Sequence, residues 1–174
     1  MKKYILFAVI TVMSVLADQL SKLWVVQNLR YRIDEIDVIP GMLSFVHAQN
    51  RGAAFGIMQG KMFIFAIFTL LALGVLGQML WQLEEDDYFQ NIALAMIASG
   101  AVGNAIDRGR QQYVTDFIRV YTENPDISAF FINNFGTNEW PSFNIADTTI
   151  VIGLLMFLFH FLFLEKNPNA EPAT

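Results

Sequence analysis

Met62 to Leu83, MFIFAIFTLLALGVLGQMLWQL, is a run of 22 residues without a charged side chain. Such a segment has few folded destinations, because about 20 apolar residues in a helix match the hydrocarbon thickness of a bilayer. Trp81 stands at its end, where an aromatic ring fits the membrane interface. Three further apolar stretches, Tyr4 to Val26, Asn91 to Ile106 and Asn144 to Leu164, repeat the pattern. The composition agrees: 55% hydrophobic and only 16% charged residues in 174 is too apolar for an ordinary soluble domain. The expected fold is a mainly α membrane protein, a four-transmembrane-helix bundle with a small extramembrane β segment after the first helix and a long loop before the fourth. One integral membrane domain over 1–166 is expected, with spans near 4–26, 62–83, 91–106 and 144–164, followed by a short polar tail, 167–174.

Charge and cysteine content exclude several functions. A net charge of -5 does not suit nucleic acid, whose phosphates need a basic surface. Without cysteine there is no disulfide framework, thiolate nucleophile or Cys-ligated metal. His47 and His160 have no partners at metal-ligand spacing, so no metal site is expected.

The opening residues, Met1 to Ala17, have the layout of a signal peptide, with Val15-Leu16-Ala17 as a cleavage site. The helical pattern continues past that site as DQLSKLWVV, which favours an uncleaved first span. Asp18, Ser21 and Lys22 share one face of it by their i, i+3, i+4 spacing. Two readings fit: a self-satisfied ion pair that avoids a lone charge near lipid, or a pair that positions neighbouring elements.

Between Gln27 and Lys61 the chain turns polar, with alternating stretches such as MLSFVHAQ that read as a small sheet. This leads to Asn50-Arg51-Gly52-Ala53-Ala54-Phe55-Gly56, small residues that suit either a tight bend or a peptide-binding surface. The acidic loop Glu84 to Asp87 reads as a solvated turn. The third span is rich in glycine and alanine, the composition of a tightly packed central helix in lipid. Asn104, Asp107 and Arg108 form a polar face at its end, and Val114 to Phe117 then reads as a short extended piece. The stretch from Ile118 to Ser142 reads as a long loop, either a lid over a site or a segment without regular structure.

Counting crossings puts Asp18/Lys22, Asn50 to Gly56, Asn104 to Asp116 and Asn144 to Asp147 on the same side of the bundle. Two carboxylates meeting there, Asp116 and Asp147, would resist ionising together and so share a proton, the arrangement of aspartic proteolysis. Asn50 and Asn144 would then be amide contacts to the substrate backbone, and Arg108 an anchor for structure or for a lipid phosphate. A small transporter, or a membrane scaffold without activity, is the alternative. Orientation is contradictory: the side of the termini holds Lys2, Lys3 and Lys166, while the other eight of 11 Lys and Arg lie opposite. Taken alone, the positive-inside rule puts the termini outside.

Five motifs in order, Asp18-x-x-Ser21-Lys22, Asn50 to Gly56, Gly103-Asn104-x-x-Asp107-Arg108, Val114-x-Asp116-Phe117 and Phe143-Asn144-x-Ala146-Asp147, span nearly the whole chain. In them the sequence resembles the lipoprotein signal peptidases, the signal peptidase II family of bacterial intramembrane aspartyl proteases. The resemblance implies that Asp116 and Asp147 are catalytic. It also implies that Asn50, Gly52, Asn104, Arg108, Asn144 and Ala146 shape the site or contact substrate, and that Asp18, Lys22 and Asp107 support it. The implied substrate is a prolipoprotein cut before its diacylglyceryl-modified cysteine. The implied location is the bacterial inner membrane, with cytoplasmic termini and a site near the outer leaflet. No cofactor and no partner beyond substrate and membrane lipids are implied, and a monomer is expected. The interval from Asp116 to Asp147 is longer than is usual for the family, the extra length falling in 118–142.

Overall fold

A computed structural model of the chain describes residues 1–52 and 62–164. The motif residues Ala53 to Gly56, together with Glu165, Lys166 and the 167–174 tail, lie outside the described residues. Among the described residues, four helices are long and apolar enough to cross a membrane: α1 (Lys2–Asn28), α2 (Met62–Gln82), α3 (Tyr88–Gln111) and α5 (Ile145–Phe159), the last continued by a π-helical turn, His160–Leu164. Helix α1 runs unbroken through Val15 to Ala17. The remaining elements are strands β1 (Glu35–Ile39), β2 (Leu43–Asn50) and β3 (Val114–Val120) and a short helix, α4 (Pro125–Phe135).

Helix α3 is the centre of the bundle. Half of its most apolar window is buried inside the protein, against 6% for α1, so α3 faces protein where α1 faces outward. Its small residues explain this, because helices in lipid gain little from apolar burial and depend on close backbone approach. A Cβ on Gly100 would strike the backbone oxygen of Ala146 in α5, and one on Gly103 would come within 2.7 Å of the Asp18 carboxylate in α1. Gly153 of α5 answers from the other side, its missing Cβ position lying 2.7 Å from the Ala93 carbonyl oxygen. Helix α2 joins α3 through an apolar cluster of Leu76, Leu80, Leu94 and Ala98.

Helix α3 continues about a turn past the expected end of its span, because its polar residues Asn104 and Asp107 are buried among protein partners. It stops at Gln112, whose left-handed backbone (φ 62°) swings the chain into β3. The short extended piece anticipated from Val114 to Phe117 is a full seven-residue strand, and it completes an antiparallel sheet of order β1-β2-β3. Register pairs Ala48 with Asp116 and Asn50 with Val114. Val25 of α1 and Leu29 just after it pack on Phe117, Phe45 and Ile145, seating the sheet on the end of the bundle. His47 ties the same corner together through its Nδ1, 2.9 Å from the Leu29 carbonyl oxygen.

At the opposite end, the acidic loop is more than a solvated turn. Asp87 caps α3 by accepting the Gln90 N–H, and its other oxygen lies 3.0 Å from His160 Nε2. Buried Lys3 donates to the Trp81 and Leu83 carbonyls that α2 leaves open at its C-terminus. His160 is therefore packed and paired, and no cluster of metal-ligating side chains occurs among the described residues.

Candidate active site

The site is assembled where α1, α3, β3 and α5 meet, and its skeleton is a chain of side-chain amides. Asn144 is the N-cap of α5: its Oδ1 accepts the Asp147 N–H at 2.9 Å while Asp147 accepts the Asn144 N–H at 3.2 Å, a reciprocal capping box. With its oxygen so engaged, Asn144 must turn its NH2 the other way, and it donates to Asp116 at 2.7 Å. The same amide reaches the Thr115 carbonyl and Asn104 Oδ1, both at 3.3 Å. Asn104 in turn donates to Asp147 at 2.8 Å. Asp116 and Asp147 are thus bridged by two asparagines, one from α3 and one from the mouth of α5.

Backbone pairing aims both carboxylates. The Phe117 and Ile118 N–H groups both donate to the Phe143 carbonyl, at 2.9 and 2.8 Å, so the strand carrying Asp116 is stitched to the entry of the helix carrying Asp147. Asp116 is 3% exposed, and Asp147 is only partly buried. Burial, and then the neighbouring Asp147 charge, push Asp116 from its ordinary value up to about 7, against the hydrogen bonds of Asn144 and Asn50 and the Lys22 charge. Asn50 is held at the end of β2, where its Oδ1 accepts the Gly52 N–H at 3.1 Å.

A buried charged cluster supports the amides from behind. Lys22 lies 2.8 Å from Asp18 and 3.1 Å from Asp107, and it donates to Asn104 Oδ1 at 3.1 Å. The two readings of the Asp18/Lys22 pair therefore hold together, since the pair satisfies itself and also positions its neighbours. The second oxygen of Asp18 accepts the Ala146 N–H at 2.9 Å, placing a carboxylate on the first turn of α5 where the helix dipole favours one. Asp107 accepts the Thr115 N–H at 3.0 Å and so fixes the approach of β3. Arg108 is half-buried, donates to the Asn104 carbonyl at 3.4 Å and stacks over the Phe65 ring at 4.5 Å. Its guanidinium is electrostatically coupled to Asp147, Asp116 and Asp107.

Gln19 belongs to this cluster and was not singled out in the sequence. Its amide nitrogen lies 3.1 Å from Asp18, 3.1 Å from Asp107 and 3.2 Å from the Gly103 carbonyl oxygen, so it crosslinks α1 to α3. Its position one residue after Asp18 and three before Lys22 was the available signal. Of the expected site residues, Asp18, Lys22, Asn104, Asp107, Arg108, Asp116, Asn144, Ala146 and Asp147 are joined by these contacts, Asn50 reaches Asp116, and Gly52 is placed by its bond to Asn50.

Comparison with known proteins follows the same lines. Residues 10–163 match the family model described as signal peptidase (SPase) II. The chain is 34% identical over 166 residues to the lipoprotein signal peptidase of Maridesulfovibrio salexigens, covering 92% of this chain and 97% of that one. It is 35% identical over 148 residues to the lipoprotein signal peptidase of Clostridium novyi, covering 84% and 90% respectively. Two solved bacterial membrane enzymes, determined by the in meso method at 2.3 and 1.9 Å resolution, align with TM-scores of 0.77 and 0.72. They share 30% and 31% identity with the chain, covering 97% and 90% of it and 94% and 92% of their own lengths.

Proposed function

The chain belongs to the signal peptidase II family, and from that premise we propose that it is a membrane-embedded aspartyl endopeptidase that removes the signal peptide of a prolipoprotein before its diacylglyceryl-modified cysteine. The observation that carries this reading is the bridged pair: Asp116 and Asp147 held by Asn144 and Asn104 at the same end of the bundle. A carboxyl that keeps its proton to about pH 7 beside an acceptor carboxylate supplies acid and base together.

In the proposed reaction Asp147 is the base, in keeping with its acceptor role towards Asn104 and the Asn144 N–H. It takes a proton from water as the water oxygen bonds to the scissile carbonyl carbon. Asp116, protonated and accepting from Asn144 on one oxygen, donates from the other to the carbonyl oxygen, where negative charge develops. Collapse of the tetrahedral species re-forms the carbonyl, breaks the C–N bond and returns the proton on Asp147 to the leaving amine. The products are a signal peptide ending in a carboxylate and a lipid-bearing cysteine with a free amino group. Asn50 would hold substrate backbone, and Arg108 would complement a lipid phosphate or the charge of the pair.

Termini in the cytoplasm of a bacterium, with the site near the outer leaflet of its inner membrane, complete the proposal. A lipid-anchored substrate would then enter sideways from that leaflet. Conduction is a poorer account, because the buried carboxylates and Lys22 gather at one end, with Lys3 the buried charge at the other, and α2 carries none. The test is to incubate the purified protein with a diacylglyceryl-modified precursor and with its unmodified form. Release of a signal peptide from the modified precursor alone is expected, and no release from either would refute the assignment.

A further inference from the structure

Helix α4 is built with more care than its packing explains. Asn124 caps it by accepting the Asp126 and Ile127 N–H groups, Pro125 opens the first turn, and Gly136, at φ 78°, closes it with a bond to the Ile132 carbonyl. Yet none of its residues is buried. An isolated helix of 11 residues is marginal in water, so a helix capped at both ends that buries none of its side chains leaves its face without a partner among the described residues. That face is aromatic. Ile127, Phe130, Phe131 and Phe135 recur at helical spacing, with ring centroids 5.6 Å apart for Phe130 and Phe131 and 5.8 Å for Phe131 and Phe135. Phe135 is 69% exposed, comparable to Phe63 and Trp81 on the outer face of α2.

We propose that α4 lies in the membrane interface with its Ile127, Phe130, Phe131 and Phe135 face in lipid, and so anchors the sheet that carries Asp116 to the bilayer surface. Three observations choose lipid as the occupant. The chain ties α4 closely to the bundle: after α4 it runs through exposed Trp140, pairs back along β3 at Val120 and Ile118, and enters the span α5 at Ile145. The tip of the β1–β2 hairpin lies beside the start of α4, where the Glu123 N–H donates to the Gly41 carbonyl, and it too carries exposed apolar side chains, Val38, Ile39 and Met42. Phenylalanine and tryptophan at the rim of a transmembrane bundle are the side chains that partition into an interface. No Lys or Arg lies between Val120 and Ile145, so attachment through aromatic rings is insensitive to salt and to anionic lipid.

The chain has no cysteine, which makes the test clean. Phe131→Cys on the apolar face and Asn133→Cys on the opposite face are spin-labelled in the full protein reconstituted in phosphatidylcholine vesicles. Leu71→Cys on the outer face of α2 serves as the lipid reference. Collision with oxygen relative to a water-soluble nickel chelate is expected to be several-fold higher for position 131 than for 133, close to the Leu71 value, and unchanged by salt. Phe135→Cys and Ala129→Cys repeat the comparison, so a single variant that fails to fold does not decide it. Equal chelate access at both faces would overturn the proposal. So would protection of position 131 accompanied by label–label broadening that vanishes on dilution with unlabelled protein, since the face would then pack on a second copy of the chain.

Discussion

Lys22 donates to the side-chain oxygen of Asn104 at 3.1 Å, and this bond decides what Asn104 can do for the site. A lysine ammonium only donates, so the oxygen end of the amide must face it and the NH2 end must face Asp147, 2.8 Å away. An ion cluster on α1 therefore sets the polarity of a contact to a carboxylate on α5.

Removing that lysine leaves two buried carboxylates, Asp18 and Asp107, without their cation. Lys22→Met is expected to lower stability by about 3–5 kcal/mol, the usual range when one partner of a buried pair is deleted. Adding Asp107→Asn to Lys22→Met should recover part of the loss. Thermal unfolding in detergent measures both, and additive effects of the two changes would show that the cluster is not coupled.

Glycine contacts give a second expectation. Gly103→Val must displace the Asp18 carboxylate that caps α5, whereas Gly109 on the same helix has open space around it. Gly103→Val is expected to be destabilising by about 1–3 kcal/mol, in the range of overpacked sites. Gly109→Ala should be neutral or slightly stabilising, since alanine is the better helix former. Comparable melting temperatures for the two variants would mean that α1, α3 and α5 do not meet as described.

The proton on Asp116 gives a pH signature. The folded chain keeps it to about pH 7, while the unfolded carboxyl, with its ordinary value of 3.8, loses it much earlier. Folding therefore binds a proton between those values, and stability falls as pH rises through that window. Asp116→Asn removes the penalty, so its melting temperature should exceed that of the parent chain at pH 8 and approach it near pH 4. Cleavage by the parent chain should decline above about pH 7, as the acid is lost. A stability difference that does not change with pH would contradict this account of Asp116.

The sequence announced the four spans because each is an apolar run of bilayer length, a local property. It also announced which end of the bundle holds the polar motifs, since that needs only a count of crossings. Helix α4 lies in the stretch that reads from sequence as a lid or an irregular loop, although Asn124-Pro125 at its start and Gly136 at its end are legible capping signals. The length of β3 and its register against β2 depend on pairing between residues more than sixty positions apart, which no local pattern encodes. The amide polarities of Asn104 and Asn144 were likewise illegible, because each is set by partners on another element. Gln19 offers only its place between Asp18 and Lys22, because a single glutamine beside a motif aspartate carries no periodic signal.

The most direct test of the dyad is to replace Asp116 and Asp147 singly with asparagine and to assay each folded variant against a diacylglyceryl-modified prolipoprotein. Both variants are expected to leave the precursor uncut while the parent chain releases the signal peptide, and full cleavage by either variant would contradict the assignment of these two aspartates as acid and base.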